Sequence, residues 1–116
     1  MTGAAGAPGT PGAVIEQLAR TIAERAQDGT ARSYTRQLLD KGVAACAKKL
    51  GEEAVEAALA AVQGDRAGLR AEAADVIYHL LVLLEATGVG LQEVTDELRA
   101  REGISGLDEK AARQDG

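Results

Sequence analysis

Residues 76–84 constrain this chain more than any other stretch, because they are apolar around almost the whole circumference of a helix. Such a helix has to be buried among others. Glu72 and Asp75 lead straight into it at a spacing of three, and Glu53 and Glu56 show the same spacing one helix earlier. Carboxylates at the edge of such a core are costly unless something positive pairs with them. Few basic residues are placed to do so, which makes a hard metal ion the leading candidate.

The rest of the chain fits packed helices better than a sheet. Phe and Trp are absent, Tyr34 and Tyr78 are the only aromatic residues, and β-branched strand formers are scarce. A length of 116 residues makes one small domain. With few large side chains to bury, helix-to-helix dimerisation is a plausible remedy. The formal charge of −5 argues against unaided binding of nucleic acid or an anionic membrane. It leaves room for a phosphorylated small molecule whose phosphates are bridged to the acidic site by cations. Cys46 is the sole cysteine, which rules out an intrachain disulfide and a cysteine-based zinc site within one chain, and suits a small apolar filler. Residues 1–13 lack a basic start and a sustained apolar run, so they read as a disordered tail rather than a signal peptide or anchor. The apolar run near residue 80 is shorter than the ~20 residues that cross a bilayer. A soluble cytoplasmic protein, with its folded domain over 14–113, is expected.

Helical periodicity starts at Val14 and runs through Ala26, ending at Asp28-Gly29. Ser33 or Thr35 can cap a short turn through Leu38 and Leu39, and Gly42 breaks the chain. A long helix is expected over 43–62, with Val43, Ala47, Leu50, Ala54, Ala57, Ala58 and Ala61 as its apolar side. Gly51 costs that helix on the order of 1 kcal/mol relative to Ala, and close approach of a neighbouring helix would account for it. Gly64-Asp65 is a turn, a helix follows over about 67–86, and Gly88 and Gly90 close it. Another covers 91–101 with Leu91, Val94 and Leu98 inward, and a last helical turn is expected over 107–113. The sum is an all-α antiparallel helical bundle of four to five helices.

Glu52, Glu53 and Glu56 span about a quarter to a third of their helix circumference, with Lys49 one turn earlier. Alone, this is an ordinary solvated acidic face. The next helix shifts the balance, because apolar Val76, Val82 and Leu83 flank Glu72, Asp75 and His79. The turn at Gly64-Asp65 makes the helices antiparallel, and Glu56 and Glu72 lie at equal distance from it. Converging carboxylates would repel by several kcal/mol without a cation. Mg²⁺, with Mn²⁺ as its substitute, suits such oxygen ligands, and hydrolysis of a phosphoanhydride is the reaction class this favours. His79 reads as a hydrogen-bonded core histidine ahead of a ligand, and Tyr78 as packing. Lys41, Lys48, Lys49, Lys110 and Arg113 read as solvated cations or as phosphate contacts.

Ser33-Tyr34-Thr35, Leu38-Leu39, Lys41-Gly42 and Lys48-Lys49-Leu50-Gly51-Glu52-Glu53-Ala54-Val55-Glu56 resemble phosphoribosyl-ATP pyrophosphohydrolase, within the MazG-like class of all-α nucleotide pyrophosphohydrolases. The resemblance continues through Gly64-Asp65, residues 72–84, Ser105-Gly106-Leu107 and Glu109-Lys110-Ala111, covering about 14–113. It implies hydrolysis of phosphoribosyl-ATP to phosphoribosyl-AMP and pyrophosphate, the second step of histidine biosynthesis, with Mg²⁺ and a homodimeric bundle. Carried onto this chain, Glu53, Glu56, Glu72 and Asp75 match the metal-binding positions, with Glu52 a fifth. Ser33 to Thr35, Lys49, His79 and Lys110 match recurring positions, and we expect Lys49, His79 and Lys110 to bind substrate. Glu53 and Glu56 are the expected catalytic pair, Glu53 taking or orienting the proton of the attacking water. The chain has no room for the cyclohydrolase that acts next, so that partner is expected to be separate. Two other readings stay open. One is a housekeeping pyrophosphohydrolase for ordinary or damaged nucleoside triphosphates, and the other a helical interaction module with a merely solvated acidic face. A di-iron bundle is disfavoured, since Glu-x-x-His is missing.

Overall fold

The structure, a computed structural model, describes residues 7–28 and 33–103 together with Arg113. Five helices follow in order: α1 (Pro11–Gln27), α2 (Tyr34–Lys41), α3 (Val43–Val62), α4 (Arg66–Thr87) and α5 (Leu91–Ala100). Among the described residues there is no strand. The turn at Gln63–Asp65 folds α3 and α4 into an antiparallel hairpin, and this is the most extensive pairing in the chain. α1 packs on α4, and α2 wedges against α1, α3 and α4.

Local chemistry sets the boundaries. α1 begins at Pro11, three residues before the expected Val14, because Thr10 caps it and proline at the first helical position sacrifices no hydrogen bond. The tail expected to be disordered therefore contributes Pro11, Gly12 and Ala13 to a helix, while residues 1–6 lie outside the described part. Ser33 caps α2 by accepting from the Arg36 backbone N–H at 3.1 Å. Gly42 joins α2 to α3 at φ 98°, a conformation that side-chain-bearing residues rarely adopt. Asp65 caps α4 by accepting from Gly68 N–H at 2.9 Å. The Arg36 guanidinium donates to the Ala26 carbonyl at 2.7 Å and to Asp40 Oδ1 at 3.0 Å, so it closes the C-terminal end of α1 and ties α2 to it.

The core is small. Ile22, Leu38, Cys46, Leu81 and Val82 are buried together, with Ile15, Leu18, Tyr78 and Leu84 among the side chains packed on them. Cys46 is the apolar filler expected of it, its thiol donating to the Leu38 carbonyl.

Three expectations about faces are corrected. α3 is rotated: Ala47, Ala54, Ala58 and Ala61 are exposed, while Cys46, Glu53 and Ala60 are buried. Those buried positions recur every seven residues, the repeat of a helix seam. An alanine face gains little by burial, so the seam is won by the side that carries Cys46 and the aliphatic stems of Lys49 and Glu53. Gly51 has no close neighbour within the chain, since an added Cβ would meet nothing within 4 Å. Leu98 is 62% exposed, because α5 extends past α4 and α1 after its first turn. The last helical turn expected over 107–113 lies outside the described residues apart from Arg113. Among the described residues no single helix is long and apolar enough to cross a membrane.

Candidate metal and phosphate site

The rotation of α3 turns Glu53 into the α3–α4 seam, where it is only 8% exposed. Glu56, one turn later, stays exposed, and Glu72 of α4 lies half-buried opposite. One carboxylate oxygen from each of the three lies within 4.8 Å of the others. The equal distances of Glu56 and Glu72 from the turn produce this meeting.

Three such groups strain one another electrostatically. Glu72 is pushed up to about 7, first by loss of solvent, then by hydrogen bonding to Glu53 and Glu56 and by their charges. Glu72 therefore keeps its proton to higher pH than an ordinary carboxyl group does. Its Oε1 is shielded from solvent and has no hydrogen-bond partner. An oxygen of this kind, with two further carboxylates beside it, is a donor set for a hard divalent cation that would take the place of the proton.

Among the described residues, cationic support comes from Lys49. Lys49 Nζ lies 3.6 Å from Glu53 Oε2 and 3.8 Å from Glu52 Oε1. Its proton affinity is raised chiefly by Tyr34, with Glu53 and Glu52 adding to the effect. Behind Glu53, His79 is 4% exposed and its Nδ1 has no partner. Burial lowers the pKa of that imidazole, with Glu53 acting in the opposite sense. The Tyr78 and Tyr34 rings close over it edge-on, at centroid distances of 5.0 and 6.1 Å. Tyr78 is fixed in turn by a hydrogen bond between its hydroxyl and that of buried Thr35.

The expected residues are thus sorted by position. Glu53, Glu56 and Glu72 come together. Asp75 stays outside the cluster and exposed: the step of about 60° from Glu72 round the α4 axis turns it away from Glu53 and Glu56, whereas the same step on α3 keeps Glu56 within reach. Glu52 is exposed and turned to Lys49. Lys110 lies outside the described residues. Lys41 and Lys48 are exposed. The contribution of Tyr34 and Thr35 was not separable from their sequence neighbours. The only signal for it was that two tyrosines make up the entire aromatic content.

The fold and the site together define an all-α protein with a carboxylate donor set across an antiparallel helix pair and a lysine beside it. Comparison with known proteins narrows the class. The family model for phosphoribosyl-ATP pyrophosphohydrolase matches residues 15–102. Phosphoribosyl-ATP pyrophosphatase 1 of Bradyrhizobium diazoefficiens is 56% identical over 105 residues, spanning 90% of this chain and 99% of that protein. The phosphoribosyl-ATP pyrophosphatases of Methylobacterium radiotolerans and Azorhizobium caulinodans are 60% and 57% identical over 100 residues, each across 86% of this chain and across 94% and 92% of their own. The chain belongs to the phosphoribosyl-ATP pyrophosphohydrolase family.

Proposed function

We propose that this protein hydrolyses phosphoribosyl-ATP to phosphoribosyl-AMP and pyrophosphate in a Mg²⁺-dependent reaction, with Mn²⁺ as a substitute, as the second step of histidine biosynthesis. The observation that carries the reading is the meeting of Glu53, Glu56 and Glu72 in a chain of this family. The unpartnered Glu72 oxygen supports a cation there, and Glu53, Glu56 and Glu72 would hold it, with Asp75 and Glu52 as outer ligands. Bound there, Mg²⁺ supplies charge neutralisation and Lewis acidity toward phosphoryl oxygens.

The chain's own groups do the rest. Glu53, immobilised by the seam and by Lys49, orients the attacking water and accepts its proton, and Glu56 shares that task from the exposed side. The Lys49 ammonium faces the charge that builds on the departing pyrophosphate, and Lys110 adds a second cation to the phosphates. His79, expected among the substrate-binding residues, is buried beneath Tyr34 and Tyr78 and would act on the site through those rings.

The outward face of α3 supports a homodimer. Ala44, Ala47, Gly51, Ala54 and Ala58 form an exposed row of small side chains, flanked by exposed Val55, Leu59 and Val62, with Leu69, Ile77 and Leu80 on α4 beside it. A second copy laid there would bury what one chain leaves open. The enzyme would act in the cytoplasm, and its product would pass to a separate phosphoribosyl-AMP cyclohydrolase.

The test is pyrophosphate release from phosphoribosyl-ATP with and without Mg²⁺, with ATP and dCTP in parallel. Rapid, Mg²⁺-dependent release from phosphoribosyl-ATP alone is expected. Release mainly from the plain triphosphates would reassign the protein to housekeeping hydrolysis. Glu53→Gln keeps the fold and loses activity by at least about 100-fold; wild-type turnover in that variant removes Glu53 from the mechanism.

A further inference from the structure

Tyr34 is an aromatic side chain that the core does not use. The chain has no Phe or Trp, and its other tyrosine, Tyr78, packs against the core with its hydroxyl bonded to Thr35. Tyr34 instead stands at the first position of α2, 50% exposed. Its ring is nonetheless well oriented. It lies within 18° of parallel to the Tyr78 ring at 6.3 Å, and meets the His79 ring edge-on at 6.1 Å. One side of the ring is thereby backed by aromatic groups, and the remaining surface faces solvent. Its edge-on contact with buried His79 of α4, and the packing of α2 on α3 and α4, set it against the helix pair that carries the carboxylates. A rigid, half-exposed ring beside a phosphate site is the arrangement on which bases stack, because every base has a π-face.

We infer that the exposed face of Tyr34 is the wall against which the purine of the substrate stacks while its phosphates lie over Glu53, Glu56 and Glu72. The inference rests on the proposed function for the identity of the substrate. A nucleotide's base is one ribose away from its α-phosphorus, so a ring packed against the helix pair that carries the carboxylates is within the substrate's span. The Tyr34–Tyr78–His79 stack then has a purpose beyond packing: it fixes the ring angle before substrate arrives, so little ordering is left to do on binding.

Two measurements test this. Steady-state pyrophosphate release from phosphoribosyl-ATP by Tyr34→Leu should show KM raised by roughly 5- to 150-fold, the range of one lost base-stacking contact, with kcat little changed. Tyr34→Phe keeps the ring and should recover most of the lost affinity. A KM unmoved in Tyr34→Leu overturns the inference. So does a Tyr34→Phe variant as impaired as Tyr34→Leu, which would assign the effect to the hydroxyl. The second measurement needs neither turnover nor a variant. In wild-type protein carrying ¹³C-labelled tyrosine, AMP with Mg²⁺ should shift the Tyr34 ring signals by ring current more than those of Tyr78, and UMP should do so less. Unmoved Tyr34 signals alongside normal hydrolysis overturn the stacking wall and leave the proposed function standing. Shifted Tyr34 signals in a protein that does not cleave phosphoribosyl-ATP support the wall and overturn the substrate.

Discussion

Replacing Gly51 with alanine separates the folding of one chain from the association of two. Gly51 lies in the middle of α3, and an added Cβ meets nothing within 4 Å. Inside one chain the change removes the helix penalty of glycine, about 1 kcal/mol. For a domain of this size that raises Tm by about 4–8 °C. The same side of α3 carries exposed Ala44, Ala47, Ala54 and Ala58. A helix laid along such a row comes nearest where the side chain is missing, and a methyl group there forces the pair apart. Overpacking at a closed contact costs about 1–3 kcal/mol, which weakens a dimer by roughly 5- to 150-fold. Gly51→Ala should therefore melt higher than wild type at dilutions where both are monomers, yet require more protein to dimerise. Melting curves over a dilution series, with sedimentation equilibrium on the same samples, read both quantities. A variant that dimerises as tightly as wild type refutes close approach at Gly51. One that melts lower as a monomer refutes the open surroundings assigned to this face.

Glu72 gives a pH dependence of definite sign. Its folded pKa of about 7 stands above its ordinary 4.5, so the folded chain keeps a proton that the unfolded chain releases, and this contribution to stability is lost as pH climbs through that window. Mg²⁺ at 100 times its Kd adds about 2.7 kcal/mol by mass action, and its effect on Tm should be larger at about pH 8 than at about pH 5; equal shifts at both would exclude the three carboxylates as the binding group. Arg36→Ala removes the guanidinium that holds the Ala26 carbonyl and Asp40, costing about 1–3 kcal/mol. It should lower the urea midpoint at unchanged m, and an unmoved midpoint would show that α2 is held on α1 by packing alone. Thr35→Val strands the Tyr78 hydroxyl in a partly buried position and should cost about 1–2 kcal/mol, part of which Tyr78→Phe restores in the double variant; a further loss in that variant would deny the pairing.

Element boundaries were legible where glycine and polar caps punctuate the chain. The bounds of α3 coincide with those expected, because Gly42 before it and Gly64-Asp65 after it leave the helix nowhere else to start or stop. The start of α1 was misplaced because periodicity was weighed above chemistry: Thr10 followed by Pro11 is a helix opening even with no apolar side chain nearby. Leu98 was misjudged for the opposite reason. Its spacing marks an apolar side of α5, but a side buries only if another element covers it.

The site depends on the one feature the sequence states ambiguously, the rotation of α3. Alanine and glycine line one side of this helix with Val55, Leu59 and Val62 beside them, and Cys46, Lys49, Glu53 and Ala60 line the other, so the pattern alone does not favour the side that is buried. Taken alone the acidic side reads as solvated, and for Glu53 the neighbours decide otherwise, because α4 brings an apolar partner to that side and α2 brings Leu38. Once Glu53 is in the seam, antiparallel geometry alone brings Glu72 opposite it and Glu56. Asp75, whose spacing from Glu72 copies the Glu53–Glu56 interval, fails to join, because copied spacing on an antiparallel neighbour does not give copied orientation. A chain that buries Glu53 beside two more carboxylates gains nothing in stability by doing so, and the crowding raises the proton affinity of Glu72. That arrangement makes sense for a molecule that exchanges the proton for a cation. The same rotation leaves the alanine row of α3 uncovered, so the carboxylate cluster and the exposed small-residue face are two consequences of a single choice of face.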